Sequence, residues 1–589
     1  MSRRIIVPLT DGFQFSRQAP AGTDAHSAGG AAEAAQPDFD DSHWEPVTVP
    51  HDWAIAGPFD AGHDVQRTTI VEDGETRPAE HLGRTGGLPH VGTAWYRMCC
   101  SRPRLSDGES DAPGAEPPAR RPSEEMRTFV EFDGVMSHAA VFCNGRRVGE
   151  RPYGYSSFSL ELTDEMGSSD RFLLAVRVDN KPDASRWYPG AGIYRNARLV
   201  FTSPLRIAYC GVTVTSRLRP TGGATVQIRT ELSDARHGRV AEWAATVQTM
   251  INDPSGTTVA DVEATFDGAK PAASVVELPE ARLWSPDNPQ LYTAVTRVLV
   301  EGTVIDECAT SFGIRSTRFD AEEGFLLNGK RVPLKGVCLH HDLGALGAAV
   351  NVRAMQRRLE ILQDMGCNAI RTSHNPPAPE LLDLTDRMGF LVIDEAFDEW
   401  RVGKVGNGYH TLFEEWAERD LRDLIRRDRN HPSVILYSIG NEVRDQATPE
   451  GREIAEWLTS ICHEEDPTRP VTAAFNNSED AIANGLAAAV DVPGWNYKPH
   501  RYAHYHVEHP TWPMYGSETE SCVSSRGEYY VPVVEERDHR RETLHVTSYD
   551  VAAPPWGYSP EYEFAALEEC SAIAGEFVWT GFDYLGEPT

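Results

Sequence analysis

Residues 434–442 read VILYSIGNE, and this stretch decides the fold because an unbroken apolar run ends abruptly in Asn441 and Glu442. Such a run is typical of a parallel strand that is buried on both faces. Seven other runs share this plan of apolar residues followed by polar or aromatic ones, namely 332–340, 368–374, 390–396, 470–475, 490–497, 513–519 and 575–584. Strands of this kind predict a parallel sheet.

Amphipathic stretches separate the apolar runs. Before Gly366, a typical helix stop, Met355, Leu359, Leu362 and Met365 recur at three- and four-residue steps. This spacing predicts a helix that buries all four side chains. Eight strand–helix units over about 275 residues favour a (β/α)8 TIM barrel, whose usual length is about 250 residues.

The chain before residue 315 has an all-β pattern. Its alternating runs, separated by Gly, Asn and Asp turns, include 128–135, 139–149, 171–180 and 197–203. These runs predict a jelly-roll β-sandwich over 1–205. Residues 206–314 continue the pattern without the Cys-Trp-Cys spacing of a disulfide-linked domain, and they predict an immunoglobulin-like β-sandwich.

Three features interrupt this plan. Residues 18–36 and 101–125 are rich in Ala, Gly, Pro, Ser and charge, so we expect surface insertions that bury little. The barrel would cover 315–589, yet no helix follows its eighth strand before Thr589. We therefore expect a TIM barrel truncated after strand eight, either a fragment or part of a longer natural protein.

Composition narrows the classes of partner. The chain has 589 residues, with 56 Lys and Arg against 88 Asp and Glu, and a formal net charge of −32. This acidity argues against nucleic acid and anionic membranes as partners. The chain shows neither the apolar stretch of a signal peptide nor an 18-residue apolar segment, and its 10 cysteines form no CxxC pair. We expect a cytoplasmic protein with reduced thiols.

The reactive residues at the strand ends are candidates for a site, because a TIM barrel builds its site at the C-terminal ends of its strands. In strand order they are His340, Arg371, His374, Asp394, Glu395, Asn441, Glu442, Asn476, Asn477, Tyr497, Glu518 and Trp579. Glu442 and Glu518 end the fourth and seventh strands, on opposite sides of the barrel mouth. Two facing carboxyl groups suit glycoside hydrolysis, one as proton donor and one as nucleophile. Either residue alone could equally end a strand for a salt bridge.

Several segments resemble glycoside hydrolase family 2, and they extend through nearly the whole chain. They are PYGYSSFSLELT (152–163), SRWYPGAGIYRNARL (185–199), WSPDNPQLY (284–292), SFGIRSTRF (311–319), GVCLHHD (336–342), RTSHNPP (371–377), VIDEAFDEW (392–400), NHPSVILYSIGNEV (430–443), MYGSETES (514–521) and GEFVWTGFDY (575–584). The first two look like the sugar-binding sandwich of the family. The resemblance implies a retaining β-glycosidase with no organic cofactor, and MYGSETES with RWYPGAGIYR is most similar to the β-galactosidase branch.

The resemblance implies a role for each residue that matches a family motif. Glu442 matches the general acid/base and Glu518 the nucleophile, two carboxyl groups that lie about 5 to 5.5 Å apart in retaining enzymes. Arg371 matches a partner whose charge would keep Glu518 ionised, and Tyr497 matches a second partner. The implied or candidate supporting residues are Asn441 for the sugar 2-hydroxyl, His340 and His374 for other hydroxyls, Trp579 as an aromatic floor, and Asp394, Arg186 and Asn477.

Two positions depart from the cation sites of the family. Some members hold Mg²⁺ near the acid/base with a Glu and a His after strand three. This chain has Glu399, but Arg401 replaces the His and could itself deliver a cation. Arg186 stands where some galactosidases use an Asp that contacts the sugar and a sodium ion, so it would donate to a sugar hydroxyl or join a surface salt bridge. We therefore expect neither a metal nor an organic cofactor.

Other interpretations stay open at this point. Two further sets could hold a divalent ion, namely His340, His341 and His374, and Asp394, Glu395, Asp398 and Glu399. Asn476 and Asn477 could bind substrate, or they could follow their strand because turns favour Asn.

Three functions follow. The first is a cytoplasmic retaining exo-β-galactosidase that acts on oligosaccharides or other β-galactosides. Such an enzyme could also assemble into a homo-oligomer. The second keeps the machinery and changes the sugar to glucuronic acid or mannose, although glucuronidases show Ser-Glu-Tyr-Gly where this chain has GSETES. The third is a non-catalytic carbohydrate-binding protein that has kept the fold.

Overall fold

A computed structural model of the chain describes residues 4–17, 33–60, 62–63, 65–72, 75–81, 84–103, 126–234, 244–268, 270–537 and 541–586. Within them lie two pairs of antiparallel sheets, smaller hairpin sheets and a closed eight-stranded parallel barrel. The predicted fold class, two β-sandwiches followed by a TIM barrel, is therefore confirmed. Most of the two predicted insertions, 18–32 and 104–125, lies outside the described residues.

The first sandwich packs a four-stranded sheet against a six-stranded sheet. In spatial order the four strands are Ile5–Pro8, Ala197–Thr202, Arg127–Phe132 and Phe158–Glu161. The six strands are Glu45–Val47, Phe13–Ser16, Gly92–Ser101, Arg171–Asn180, Ala139–Cys143 and Arg146–Arg151, and a separate hairpin pairs Gln66–Glu72 with Glu75–His81. Side chains that alternate along these strands, such as Val141 and Cys143, form one buried core.

The end of the first predicted insertion is buried, which the sequence analysis did not expect. Ala34 and Ala35, in the short 3-10 helix Glu33–Ala35, have no exposed surface and pack with Trp44 and Trp95. Small side chains allow this close approach, so a segment of low hydrophobicity still contributes to a core.

The second sandwich is built from a three-stranded and a four-stranded sheet. Its strands in spatial order are Leu205–Leu218, Ala224–Asp234 and Ala272–Leu278, and then Thr258–Phe266, Ala245–Asn252, Tyr292–Val300 and Thr303–Phe312. The first strand begins at Leu205, one residue before the predicted boundary. A small sheet of Thr317–Asp320, Gly324–Leu327 and Lys330–Arg331 then leads into the barrel.

All eight predicted barrel strands are present and close into one parallel sheet. Strands 1 to 8 are Leu334–Leu339, Ala369–Thr372, Leu391–Glu395, Val434–Asn441, Val471–Phe475, Val492–Asn496, Met514–Glu520 and Ile573–Trp579. The described α-helices of this region are Val352–Asp364, Pro379–Met388, Phe413–Asp428, Gly451–Glu465, Ser478–Ala483, Tyr502–Glu508 and Pro560–Glu569. Pairing of strand 8 with both strand 1 and strand 7 closes the barrel.

The first helix shows how local sequence sets these elements. The Asn351 side chain caps it by accepting a hydrogen bond from the backbone N–H of Ala354 at 3.0 Å. Leu359 and Leu362 are fully buried as predicted, but Met365 is 69% exposed. The helix ends at Asp364, so Met365 falls past the last turn and leaves the buried stripe.

Polar contacts join the first sandwich to the barrel. The buried Arg195 guanidinium donates to the backbone oxygens of Pro376 at 2.7 Å and Pro377 at 3.0 Å, just after barrel strand 2. The hydroxyl of Tyr153 donates to the oxygen of Ala396 at 2.8 Å, just after strand 3. These contacts hold segment 185–195 of the sandwich over the barrel mouth.

The helices and the cysteines relate to the expected absence of a membrane span and of disulfides. No helix among the described residues is long and apolar enough to cross a membrane. All ten cysteines fall within the described ranges, and each is a free thiol.

Three buried carboxyl groups, those of Glu520, Glu563 and Glu576, lie near one another beside strands 7 and 8. Glu563, on helix Pro560–Glu569, accepts a hydrogen bond from the Tyr502 hydroxyl at 2.7 Å, and Thr519 donates to Glu576 at 2.9 Å. Burial, with smaller contributions from Glu576 and Glu520, raises the pKa of Glu563 to about 8. The folded protein therefore keeps a proton on a group that is ionised in the unfolded chain at neutral pH.

We expect this cluster to make stability fall as pH rises from about 4.3, the unfolded pKa of Glu, to about 8. Glu563→Gln removes the charge that must otherwise be buried, so it should raise Tm at pH 8 and change it much less at pH 5. Thermal melts at both pH values check this, with Glu568→Gln, an exposed carboxylate on the same helix, as the matched control. A Tm for Glu563→Gln that parallels the wild type at both pH values would contradict the expectation.

Candidate active site

Arg371 lies at the centre of the barrel mouth with no exposed surface. Its Nε and Nη2 donate to the two carboxylate oxygens of Glu395, at 2.7 and 3.1 Å. Nη1 donates to Oε1 of Glu518 at 2.8 Å, and Nη2 also donates to Oδ1 of Asn441 at 2.9 Å. One guanidinium thus fixes side chains from strands 3, 4 and 7, which is possible because it carries donors in a planar fork.

Glu518 faces the mouth from strand 7 and is held on both oxygens. Arg371 contacts Oε1, and the hydroxyl of Tyr497 donates to Oε2 at 3.0 Å. Burial and then the nearby charge of Glu442 raise the pKa of Glu518 to about 7, although Arg371 and Tyr497 act to lower it. Arg371 was expected to keep Glu518 ionised, but it only partly offsets burial, so this carboxyl is poised between its two forms near neutral pH.

Glu442 directly follows strand 4 and is half-buried at the same mouth. Its Oε1 accepts a hydrogen bond from Nδ2 of Asn496 at 3.0 Å, and Asn496 is itself oriented by the Ser517 hydroxyl at 2.6 Å. Glu442 and Tyr497 both have positive φ, 43° and 58°, an uncommon conformation for residues other than glycine. This turn after each strand aims their side chains into the mouth.

An aromatic and histidine wall flanks Glu518. His374 bridges two carboxyl groups, with Nδ1 2.6 Å from Glu395 and Nε2 3.3 Å from Glu518. Burial, then the charge of Arg371, lowers the pKa of His374 well below its usual value, which favours a neutral ring. The Trp579 ring stacks on His374 with centroids 5.3 Å apart.

His340 is a buried histidine whose ring makes no hydrogen bond within the described part of the chain. Burial lowers its pKa well below the usual value, and neither ring nitrogen has a hydrogen-bond partner there. Tyr584 stacks on it at 3.9 Å and Trp187 of the first sandwich packs at 5.0 Å. A buried imidazole without a partner beside a cavity is suited to a ligand hydroxyl.

The mouth opens into a cavity of about 910 Å³, a size usual for ligand sites. The predicted site residues that line it are Arg186, His340, His374, Asn441, Glu442, Asn477, Tyr497, Glu518 and Trp579. Arg371 touches this set from below through Glu518 and Asn441. The structure therefore brings together ten of the eleven residues predicted from the sequence.

Asp394 is the exception, and its predicted place in the site is corrected. Successive side chains of a strand point to opposite faces, so when Glu395 points inward Asp394 points out of the barrel. It is fully buried there beside Asp428 and Arg427. Burial, then the charge of Asp428, raises the pKa of Asp394 well above its usual value.

Arg186 reaches the cavity from the first sandwich and forms a doubly hydrogen-bonded ion pair with Asp398. Its Nε donates to Oδ2 at 2.8 Å and its Nη2 to Oδ1 at 2.7 Å. Of the two predicted alternatives, the salt bridge is observed, but at the cavity wall rather than on the outer surface. A guanidinium at this position offers no oxygen to a sodium ion.

The residues of the family's magnesium site do not fit a divalent ion in this chain. Oε1 of Glu399 accepts the backbone N–H groups of Lys404 at 2.6 Å and Val405 at 3.0 Å, and its Oε2 lies 3.0 Å from Nδ1 of His410. Arg401, which could have supplied a positive charge to the site, instead has an exposed side chain that pairs with Glu414.

The remaining candidates for a metal or a substrate site have the following contacts. Within the described residues no group of three or more His, Cys, Asp and Glu side chains is arranged to hold a metal, and His341 instead lies 3.1 Å from the oxygen of Pro189. Asn477 precedes helix Ser478–Ala483, and its Nδ2 donates to Asp480 at 2.5 Å. Its role in the local turn is therefore visible, although it also lines the cavity.

Sequence reasoning missed four residues that complete the site, namely Trp187, Lys404, Asn496 and Tyr584, and it chose Asp394 as a supporting residue in place of its neighbour Glu395. Two signals could have found some of them. Asn496 ends strand 6 directly before Tyr497, so the rule of strand ends applied to it as well. Strand alternation would have preferred Glu395 to Asp394 once Arg371 was assigned to the neighbouring strand.

Two family models match the chain. Residues 320–512 match "Glycosyl hydrolases family 2, TIM barrel domain", and residues 206–315 match "Glycosyl hydrolases family 2". Together these segments cover the second sandwich and much of the barrel, including Arg371, Glu442 and Tyr497.

Known relatives carry two activities in their names. A beta-galactosidase of Bacteroides ovatus, BoGH2A, is 38% identical over 609 residues, covering 95% of this chain and 67% of that protein. A beta-glucuronidase of Bacteroides fragilis is 29% identical over 492 residues, covering 78% of this chain and 67% of that protein. A solved glycosyl hydrolase family 2 member from Bacteroides cellulosilyticus matches with a TM-score of 0.78 and 34% identity, covering 99% of this chain and 65% of that chain. This chain thus spans about two thirds of the length of each.

Proposed function

We propose that this chain, which belongs to glycoside hydrolase family 2, is a retaining exo-β-galactosidase that removes terminal, non-reducing β-D-galactose from oligosaccharides. The family supports a glycosidase, and the similarity to the Bacteroides ovatus beta-galactosidase favours galactose as the sugar. The free thiols suit a reducing compartment, so we assign the protein to the cytoplasm.

One observation carries the proposal: Glu442 and Glu518 line the same cavity from strands 4 and 7, and each is held by its own partners. Such a pair is what a double displacement requires. In the first step Glu518 attacks the anomeric carbon while Glu442 donates its proton to the glycosidic oxygen, and the alcohol leaves. In the second step Glu442 takes a proton from water, which attacks the glycosyl ester and releases the sugar and Glu518.

The surrounding groups have roles that match this sequence of steps. Arg371 and Tyr497 hold the oxygens of Glu518, so the nucleophile needs no reorganisation before attack. Asn441 has its amide oxygen fixed by Arg371 and one hydrogen of its amide nitrogen held by Asp398, and the second hydrogen is assigned to the sugar 2-hydroxyl. His340, neutral and without a partner in the described part of the chain, offers a donor and an acceptor to other hydroxyls.

A β-glucuronidase is the second candidate. Lys498 and Arg444 line the cavity, where Lys498 donates to the backbone oxygen of Asn496 at 3.4 Å and Arg444 to that of Gly403 at 2.8 Å. Two cations at the cavity would suit the carboxylate of glucuronic acid. A non-catalytic sugar-binding protein is less favoured, because the cavity holds both carboxyl groups that the chemistry needs.

Hydrolysis of p-nitrophenyl β-galactoside, glucoside, glucuronide, mannoside and fucoside tests the proposal. We expect galactoside release, with kcat reduced by about 10⁴-fold or more in Glu518→Gln, because the covalent step is lost. Glu442→Gln should lose most activity on substrates with poor leaving groups and least on 2,4-dinitrophenyl galactoside, which needs no proton. Glucuronide release would keep the mechanism and change the sugar, whereas a Glu518→Gln variant within a few-fold of wild type would refute the nucleophile.

The pH dependence should report Glu518. Because burial and Glu442 raise its pKa to about 7 and the protonated carboxyl cannot attack, kcat/KM should fall about tenfold per pH unit below pH 7. Removing the charge of Glu442 should move this limb to lower pH, which Glu442→Gln assayed with the dinitrophenyl substrate measures. A limb that stays in place in this variant would show that another group controls it.

A further inference from the structure

A second buried charge cluster is joined to Arg371 through the side chain of Asn441 and lies next to Glu442. Its members are Asp398, Arg186 and Lys404. We propose that Lys404 is a positioning residue for the acid/base side of the site, because its ammonium joins Asp398 to the backbone of Asn441 immediately before Glu442. This inference rests on the proposed glycosidase function.

The ammonium of Lys404 forms hydrogen bonds with two neighbouring residues. Nζ of Lys404 donates to Oδ1 of Asp398 at 2.7 Å and to the backbone oxygen of Asn441 at 2.8 Å. The same Oδ1 accepts Nδ2 of Asn441 at 3.0 Å. Lys404, Asp398 and Asn441 therefore form a closed ring of hydrogen bonds, with the Lys404 side chain only 7% exposed.

The loop that carries Lys404 is held in shape by Glu399. The carboxylate accepts the backbone N–H groups of Lys404 and Val405, and Oε2 accepts from the backbone of His410 at 3.2 Å. Glu399 is thus committed to the loop rather than to a metal. The positive charge beside the acid/base comes from Lys404, which stands three residues after the position of Arg401.

Charge balance explains why the site needs this ammonium. Arg186 and Lys404 pair with Asp398, and together with Lys498 they also face the carboxylate that Glu442 presents as general base in the second step. Burial and the nearby Arg186 lower the pKa of Lys404, and the charges of Asp398 and Glu442 oppose that shift. Without the ammonium, Asp398 keeps one cation and the oxygen of Asn441 loses its partner.

Loss of Lys404 would affect the position of the Asn441 side chain. Arg371 holds its amide oxygen and Asp398 holds one hydrogen of its amide nitrogen, so the second hydrogen points to one fixed direction. Loss of Lys404 frees both Asp398 and the backbone of Asn441. A misplacement of about 1 Å at such a contact can reduce the rate by about 10²-fold.

The test compares wild type, Lys404→Ala and Arg401→Ala on p-nitrophenyl β-galactoside and its 2-deoxy analogue. We expect kcat/KM of Lys404→Ala to fall about 10²-fold on the parent sugar and less than about tenfold on the 2-deoxy sugar, because the lost contact is to the 2-hydroxyl. Propylammonium should restore part of the parent activity, and 1-propanol, similar in size without the charge, should not. Arg401→Ala removes an exposed cation from the same loop and should match the wild type.

Each outcome decides the matter. Equal losses on both sugars without rescue by propylammonium, or a Lys404→Ala variant within twofold of wild type, would overturn the positioning role. If Lys404→Ala does not fold, as judged by its melting transition, Lys404→Met keeps the side-chain volume and must show the same selective loss. A wild type inactive on every glycoside would instead refute the proposed function, and this inference with it.

Discussion

The buried guanidinium of Arg371 is the interaction on which the rest of the site depends. It has no exposed surface, and it donates to Glu395, Asn441, Glu518 and the backbone oxygen of Ser517. A buried charge is costly unless it is paired and fully hydrogen-bonded. Strands 2, 3, 4 and 7 must therefore keep the register in which all the donors of Arg371 have acceptors. The same register sets the positions of the side chains at the barrel mouth.

Around this constraint the two carboxyl groups occupy different environments. Glu518 lies on the buried side, where burial and Glu442 raise its pKa to about 7 against the opposing effect of Arg371. Glu442 lies on the more open side, beside Asn496, with Lys404, Arg186 and Lys498 as nearby cations. Asn441 links the two halves, because its amide oxygen is held by Arg371 and its nitrogen by Asp398. The assignment of roles rests on the different partners of the two carboxyl groups and not on the pKa of Glu518, because a raised pKa alone is typical of a proton donor.

The sequence was sufficient for the eight barrel strands, because parallel strands buried on both faces are continuous apolar runs, and for the residues at their ends. It was insufficient where a choice depended on tertiary contacts. Asp394 and Glu395 are adjacent, so alternation puts them on opposite faces, and it selects Glu395 only after strands 2 and 3 are paired with Arg371 facing inward. Likewise, the path of the loop after strand 3 turns Arg401 outward and brings Lys404 inward, a result of the backbone contacts of Glu399 that no spacing rule encodes.

The central claim is that Glu518 forms a covalent bond with the sugar. Incubation with 2-deoxy-2-fluoro-β-galactosyl fluoride tests it most directly, because the fluorine at C2 slows both steps and the fluoride leaving group keeps the first one fast enough for the ester to accumulate. Mass spectrometry of the intact protein and its peptides should then find one fluorogalactosyl group, on the peptide that contains Glu518. A label on any other residue, or no label in a protein that hydrolyses galactosides, would contradict the account.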